Sequence, residues 1–134
     1  MTLFVDTSVW SLALRRDGDA TAPEVQVLRR ALQDGDLVVT TGLVLQELLQ
    51  GFSGPRARSD IISRFGALPF LIPDRQDHID AAELRNRCRR SGVQIGTIDA
   101  LLAQLCIRHS LMLLTTDNDF ARAAGHCALQ VWKP

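Results

Sequence analysis

Leu3-Phe4-Val5-Asp6-Thr7-Ser8, close to the N-terminus, is the stretch whose reading decides the fold. Three apolar residues without polar alternation suit a strand buried on both faces, and such strands belong to parallel sheets covered by helices. Outward from this stretch, similar runs recur at 37–39, 70–72, 112–114 and 129–132, spaced to leave room for one or two helices. Only the last is interrupted, by Gln130, as suits an edge strand. The intervening segments read as amphipathic helices over 21–35, 41–51, 55–68, 77–90, 97–109 and, briefly, 117–124. In the first, Val25, Leu28 and Leu32 share a face, Thr21 with Glu24 suggests a capping box, and Gly35 is a stop signal. In the fourth the inner stripe is Ala81, Leu84 and Cys88. In the fifth, Ile98, Leu101, Leu102, Leu105 and Cys106 form a wide apolar face behind Thr97 as N-cap. The expectation is one α/β domain over 1–134 with a mainly parallel sheet. Sites in such folds lie at the C-terminal ends of the strands.

Composition narrows the chemistry. Fifteen Lys plus Arg balance fifteen Asp plus Glu, and hydrophobic (46%) and charged (22%) shares are those of an ordinary globular domain, so disorder is excluded. Fourteen of the basic residues are Arg, and Lys133 is the only lysine. Schiff-base, P-loop and receiver-type mechanisms would have to use that penultimate residue. The longest uncharged stretches, 37–46 and 123–132, are about half of what a bilayer-spanning helix needs. Asp6 arrives early with no basic residue before it, unlike a secretory signal. Cys88, Cys106 and Cys127 are odd in number, without CxxC spacing, and read as reduced, mostly buried thiols of a cytoplasmic protein. His78, His109 and His126 are scattered, and a zinc site is not expected.

The strand ends carry carboxylates. Asp6 follows the first run, and Thr115-Thr116-Asp117-Asn118-Asp119 follows the fourth; each acid has an ordinary reading as a helix cap. Asp99 falls in the first turn of the helix beginning at Thr97, where the helix dipole favours its ionised form with or without a function. Glu47 is the only charged residue from Leu37 to Pro55, among apolar Leu43, Val44, Leu48 and Leu49. It belongs either to a solvent stripe marked by Gln46 and Gln50, or to a cleft where it shares a cation with Asp6, Asp99 and Asp117. Two unit charges 4 Å apart at an effective dielectric near 20 repel by about 4 kcal/mol, so four such acids need a counter-charge, either Arg side chains or a metal. An all-oxygen ligand set without His or Cys selects a hard cation, Mg²⁺ or Mn²⁺, which can activate a water for phosphodiester displacement.

Four blocks, Phe4-Val5-Asp6-Thr7-Ser8-Val9-Trp10, Leu45-Gln46-Glu47-Leu48-Leu49-Gln50-Gly51, Gly96-Thr97-Ile98-Asp99-Ala100-Leu101-Leu102-Ala103 and Leu114-Thr115-Thr116-Asp117-Asn118-Asp119-Phe120, resemble in order and spacing those of PIN-domain nucleases. Among these the chain is most similar to the VapC toxins of toxin–antitoxin pairs. The resemblance implies a three-layer α/β/α fold with a five-stranded sheet, Mg²⁺-dependent endoribonuclease activity, a homodimer and a VapB-like antitoxin occupying the cleft. It also implies an acidic quartet of Asp6, Glu47, Asp99 and Asp117, with Asp6 and Asp99 as direct metal ligands and Asp119 as an accessory acid. Thr7 and Thr97 would cap helices or contact metal waters or phosphate.

On that reading a metal-activated water attacks phosphorus and leaves 5′-phosphate and 3′-hydroxyl ends. Chemistry through the 2′-oxygen would need His as acid and base, and no His is expected near the site. RNA affinity would come from Arg15 and Arg16, Arg56 and Arg58, or the run Arg85, Arg87, Arg89 and Arg90, although such a run on a helix is more often a solvated face. A haloacid-dehalogenase-like site fails because Ser8 stands where a second acid is needed, and no GxGxxG follows a strand. Two alternatives stay open: a solitary PIN nuclease of RNA processing, and a non-catalytic module that binds a basic peptide in an acidic cleft.

Overall fold

The computed structural model describes residues 1–15 and 20–134; Arg16, one of the expected RNA contacts, lies outside them. Five strands, β1 (Leu3–Val5), β2 (Val38–Thr41), β3 (Phe70–Leu71), β4 (Met112–Leu114) and β5 (Gln130–Val131), form one sheet in the order β3-β2-β1-β4-β5. Every pairing is parallel. β1 is central, with Leu3 opposite both Val38 and Met112 and Val5 opposite Leu114. Its three residues are fully buried, as an uninterrupted apolar run requires, and the run broken by Gln130 is an edge strand as expected.

Seven α-helices connect the strands among the described residues: α1 (Thr7–Leu14), α2 (Pro23–Asp34), α3 (Gly42–Gly51), α4 (Pro55–Phe65), α5 (Arg75–Arg90), α6 (Thr97–Arg108) and α7 (Asn118–Ala123). A short 3-10 turn, Ala124–His126, follows α7. The order in which strands are added reverses between β1 and β4, so right-handed crossovers put α1 to α4 on one face and α5 to α7 on the other. The packing agrees: α1 lies against α2 and α3, α3 against α4, and α5 against α6. No helix among the described residues is long and apolar enough to cross a membrane.

Several details depart from expectation. Helix α1 follows Asp6 so closely that the periodicity of its eight residues gave no separate boundary, although its capping residues were in view. The capping box assigned to Thr21 and Glu24 does not form; α2 starts at Pro23 behind Ala22, which makes no side-chain cap bond, and proline's fixed φ suits that first position. The apolar stripe of α2 runs Val25, Leu28, Ala31, so Leu32, one residue further round, is exposed. Ile98, expected on the apolar face of α6, is exposed as well, whereas Leu101, Leu102, Leu105 and Cys106 are buried. Gly35 does end α2, at φ 73°, a left-handed conformation that glycine adopts without strain.

A true capping box opens α5 two residues ahead of the expected start. The Asp77 amide donates to Asp74 Oδ1 at 2.9 Å, and the Asp74 amide to Asp77 Oδ2 at 2.9 Å. Arg108, at the end of α6, donates from Nη1 to Asp77 Oδ2 at 2.6 Å and lies 3.2 Å from Asp74 Oδ2. The amide of Asp74 and the guanidinium of Arg108 together hold the Asp77 carboxylate, the one nearly inaccessible side chain of this corner, clamping the start of α5 to the end of α6. Arg108→Ala should therefore lower unfolding free energy by about 2 kcal/mol, because the nearly inaccessible Asp77 carboxyl loses its guanidinium partner. Urea unfolding checks this, and a loss below about 0.5 kcal/mol, the level of an ordinary surface change, would show that solvent already screens the pair.

Candidate active site

The crevice at the reversal point, beyond the C-terminal ends of β1 and β4, is where an open parallel sheet leaves room for a ligand. Asp6 is the first residue past β1, and its amide is still in the ladder, donating to Leu114 O at 3.1 Å. Its side chain caps α1: Oδ1 accepts from the Ser8 amide at 3.1 Å and the Ser8 hydroxyl at 2.6 Å. Oδ2 accepts from the Thr115 hydroxyl, just past β4, at 2.7 Å. Two bonds fill Oδ1 and one is made to Oδ2, so Oδ2 retains a free lone pair. Burial pushes the Asp6 carboxyl above its ordinary range, against the lowering effect of the Ser8 and Thr115 hydroxyls and two backbone amides. The cap reading of Asp6 is thus true and leaves an acceptor unused.

Asp99 faces the same space from the first turn of α6. Its pKa is pushed up to about 6, first by burial and then by the negative charges of Asp117, Asp6, Glu47 and Asp119, in that order. The structure therefore brings all five expected acids into electrostatic contact around Asp99. Glu47 belongs to this group: it is half-buried and accepts from the Thr7 hydroxyl at 3.2 Å through Oε1, while Gln46 and Gln50 take the exposed stripe of α3. Asp117 caps α7, accepting from the Asp119 amide at 2.9 Å, and its own amide donates to Thr115 Oγ1 at 3.0 Å. Asp119 differs from the rest, because Oδ1 already holds Arg122 Nη1 at 2.7 Å.

Neither threonine is the cap it was expected to be. Both occupy the first helical position, where the side chain no longer reaches back to free amides. Asp6 caps α1, and extended Gly96, with no side-chain cap bond, precedes α6. Thr7 instead braces Glu47, and Thr97 stands exposed at the mouth of the crevice. Sequence reasoning did not single out Ser8 and Thr115 as the groups that hold Asp6 and link β1 to the β4 loop. The hydroxyls beside each acid in Asp6-Thr7-Ser8 and Thr115-Thr116-Asp117 were the available signal. His78 lines a separate cavity together with Thr97 and Ile98.

The donor set suits an oxygen-preferring divalent cation, since the five carboxylates repel one another and only Asp119 has an ion-pair partner among the described residues. They surround a common space without closing a cage: among the described residues no three His, Cys, Asp or Glu side chains converge tightly enough to hold an ion alone. A cation here would keep waters or take phosphate oxygens, the usual habit of Mg²⁺. The cysteines take no part; all three are free, and burial pushes the Cys106 and Cys88 thiols up.

The PIN-domain family model matches residues 3–126. The chain belongs to the PIN-domain family. This PIN domain is 28% identical over 120 residues to a VapC ribonuclease of Mycobacterium bovis and to ribonuclease VapC11 of Mycobacterium tuberculosis, covering 88% of this chain and 88% of each relative. Its fold is shared with VapBC-1 from nontypeable Haemophilus influenzae at a TM-score of 0.74 and 18% identity, covering 99% of this chain and 98% of that one. FitAcB from Neisseria gonorrhoeae superposes at 0.72 and 20% identity over 98% and 97%. The sarcin–ricin-loop-cleaving toxin VapC20 of Mycobacterium tuberculosis does so at 0.68 and 21% identity over 96% and 99%.

Like-charge crowding makes a prediction about stability. Since Asp99 binds its proton more tightly folded than unfolded, metal-free protein should lose stability as pH rises from 3.8 to about 6 and carry the full penalty above that. Asp99→Asn removes the penalty. In EDTA at pH 7.5, taken as about neutral, it should gain about 1 kcal/mol after solvent screening of a half-exposed group, or about 3 °C in Tm. The gain should vanish towards pH 4. A lower Tm for Asp99→Asn at neutral pH would mean that Asp99 serves the helix start rather than the cluster.

Proposed function

We propose that this PIN domain is a Mg²⁺-dependent endoribonuclease, acting in the cytoplasm as the toxin of a VapBC-type pair, with Mn²⁺ able to substitute. The observation that carries the reading is the set of acids gathered around Asp99 at the reversal point of the sheet. The VapC ribonucleases to which the chain is similar support the activity and the RNA substrate. Asp6 and Asp99 would ligate the cation directly, with Glu47 and Asp117 completing the quartet and Asp119 accessory, its Oδ1 being shared with Arg122.

When bound, the cation supplies Lewis acidity for the attacking water and positive charge for the phosphate. The protein's own groups do the rest. Ser8 and Thr115 fix the Asp6 carboxylate so that Oδ2 presents its free lone pair to the crevice. The Thr7 hydroxyl engages Glu47 Oε1, which leaves Oε2 to accept a proton from the water as it attacks. The Asp6 cap at α1 and the Asp117 cap at α7 hold two carboxylates on rigid helix starts, so little reorganisation is needed as charge develops.

Two assemblies accompany this reading. A homodimer would cover apolar residues exposed at the β3 edge, Phe70 and, 84% exposed, Ile72. A VapB-like antitoxin finds support in the VapBC complexes that share the fold. Besides the acid cleft expected from the resemblance, a groove of about 400 Å³ along α1, α2 and α4 would offer such a partner a seat. Trp10, Leu28 and Ile61 line the groove together with Arg29, Arg56 and Arg64, which suits an acidic amphipathic segment.

Purified protein with Mg²⁺ or Mn²⁺ should cut RNA, leave ligatable 3′-hydroxyl ends, and lose activity in EDTA. Asp6→Asn and Asp99→Asn should each lower kcat by about 100-fold or more. Products ending in 2′,3′-cyclic phosphate would exclude the mechanism. Metal-independent binding of basic peptides without any cleavage would turn the cleft into a recognition module.

A further inference from the structure

A cavity of about 520 Å³ lies between α5 and the first turns of α3 and α6, within the size range of small-ligand pockets. It adjoins the acid crevice at two points. Leu43 stands one helical turn before Glu47 on the same face of α3, and Thr97, Ile98 and Ala100 bracket Asp99. Its chemistry is opposite to that of the crevice. No carboxylate lines it; Leu43, Pro73, Ala81 and Leu101 supply apolar wall, and His78, Arg85 and Asn86 supply polar edge.

Arg85 is the telling group. It is half-buried, unlike Arg87, Arg89 and Arg90, which sit exposed in the last turn of α5. Its Nε donates to the Ile95 carbonyl at 3.0 Å, which fixes the guanidinium plane, and no carboxylate among the described residues pairs with it. An oriented guanidinium whose terminal nitrogens face no carboxylate among the described residues is free to take an anion in a charge-assisted, two-point contact. Asn86 is oriented as well, its Oδ1 accepting from Arg89 at 2.8 Å, so its amide N–H groups stay available.

We propose that this cavity is a nucleotide subsite of the RNA strand next to the scissile bond. Arg85 holds a backbone phosphate, and the apolar walls take one unstacked base whose edge meets Asn86 and His78. The assignment rests on the nuclease reading for its place in a reaction, and on charge complementarity and the shared border with the acids for its ligand. Aliphatic walls with a few convergent polar groups suit the insertion of a small flat heterocycle, and an oriented guanidinium is how proteins hold phosphate. The acids would govern cutting, and this cavity would govern where.

The test uses the full chain in EDTA, titrated by NMR with each of the four ribonucleoside 5′-monophosphates and with ribose 5-phosphate. At least one nucleotide should bind about tenfold tighter than ribose 5-phosphate, and Arg85→Gln should weaken it by about tenfold. Ala82→Trp, at an exposed position on the cavity wall, should block binding with Tm unchanged. With Mg²⁺ and a single-stranded RNA, Arg85→Gln should raise KM more than it lowers kcat, and Ala82→Trp should alter the base preference at the cut. The subsite is overturned if no nucleotide binds, or if both variants keep the original KM and cut-site preference. It is equally overturned if Ala82→Trp turns a dimer into a monomer by sedimentation, which would give the cavity to a second copy of the chain. Nucleotide binding at Arg85 without any RNA cleavage by the unaltered protein would support the subsite and count against the nuclease reading.

Discussion

Parallel pairing of β1 with β4, Leu3 to Met112 through Val5 to Leu114, brings together two segments more than a hundred residues apart. Both strands end at the same level, so Asp6 and Thr115 emerge side by side and join through a 2.7 Å hydrogen bond. From that contact follow the start of α1, the orientation of the Asp6 carboxylate, and the loop that carries Asp117. Leu3, Phe4 and Val5 make the pairing durable, because they are wholly inside the core and a slip by one residue would disturb both adjoining strands.

The crevice stores electrostatic repulsion. Buried hydroxyl and amide donors partly offset the cost at Asp6, but Asp99 has no such relief, and its pKa rises to about 6. A site held in this condition by well-packed neighbours is poised for a cation, since a ligand that removes repulsion binds with that gain added. The neutral sum of charges conceals this division. Setting aside the five gathered acids leaves fifteen basic against ten acidic side chains, a surplus carried almost wholly by arginine. An acidic pocket inside an arginine-bearing surface is compatible with a phosphate-rich partner, despite the neutral overall charge.

Much of this was legible before any coordinates. The strand cores, the edge character of 129–132 and the isolation of Glu47 all come from local apolar patterning, which the surrounding fold reinforces. Local patterning failed where two neighbouring positions were equally good. Ala31 rather than Leu32 continues the α2 stripe, since the helix meets the core at i+3 and not i+4. Thr97 and Gly96 compete for one cap position, and the extended backbone at Gly96 settles it. The Asp74–Asp77–Arg108 clamp was invisible because its cation arrives from another helix, 31 residues on.

The sequence by itself determined the class of fold, the order of its elements and which acids stand at strand or helix ends, because these depend on hydrophobic period and on turn and cap chemistry within a few residues. Only the tertiary structure decided that Asp6, Glu47, Asp99, Asp117 and Asp119 share one space, that Thr7 and Thr115 brace two of them, and that Arg85 alone of its run turns inward. Those outcomes depend on strand order and helix packing across the whole chain. Electrostatic coupling acts through distance in space, and spacing along a sequence does not set that distance.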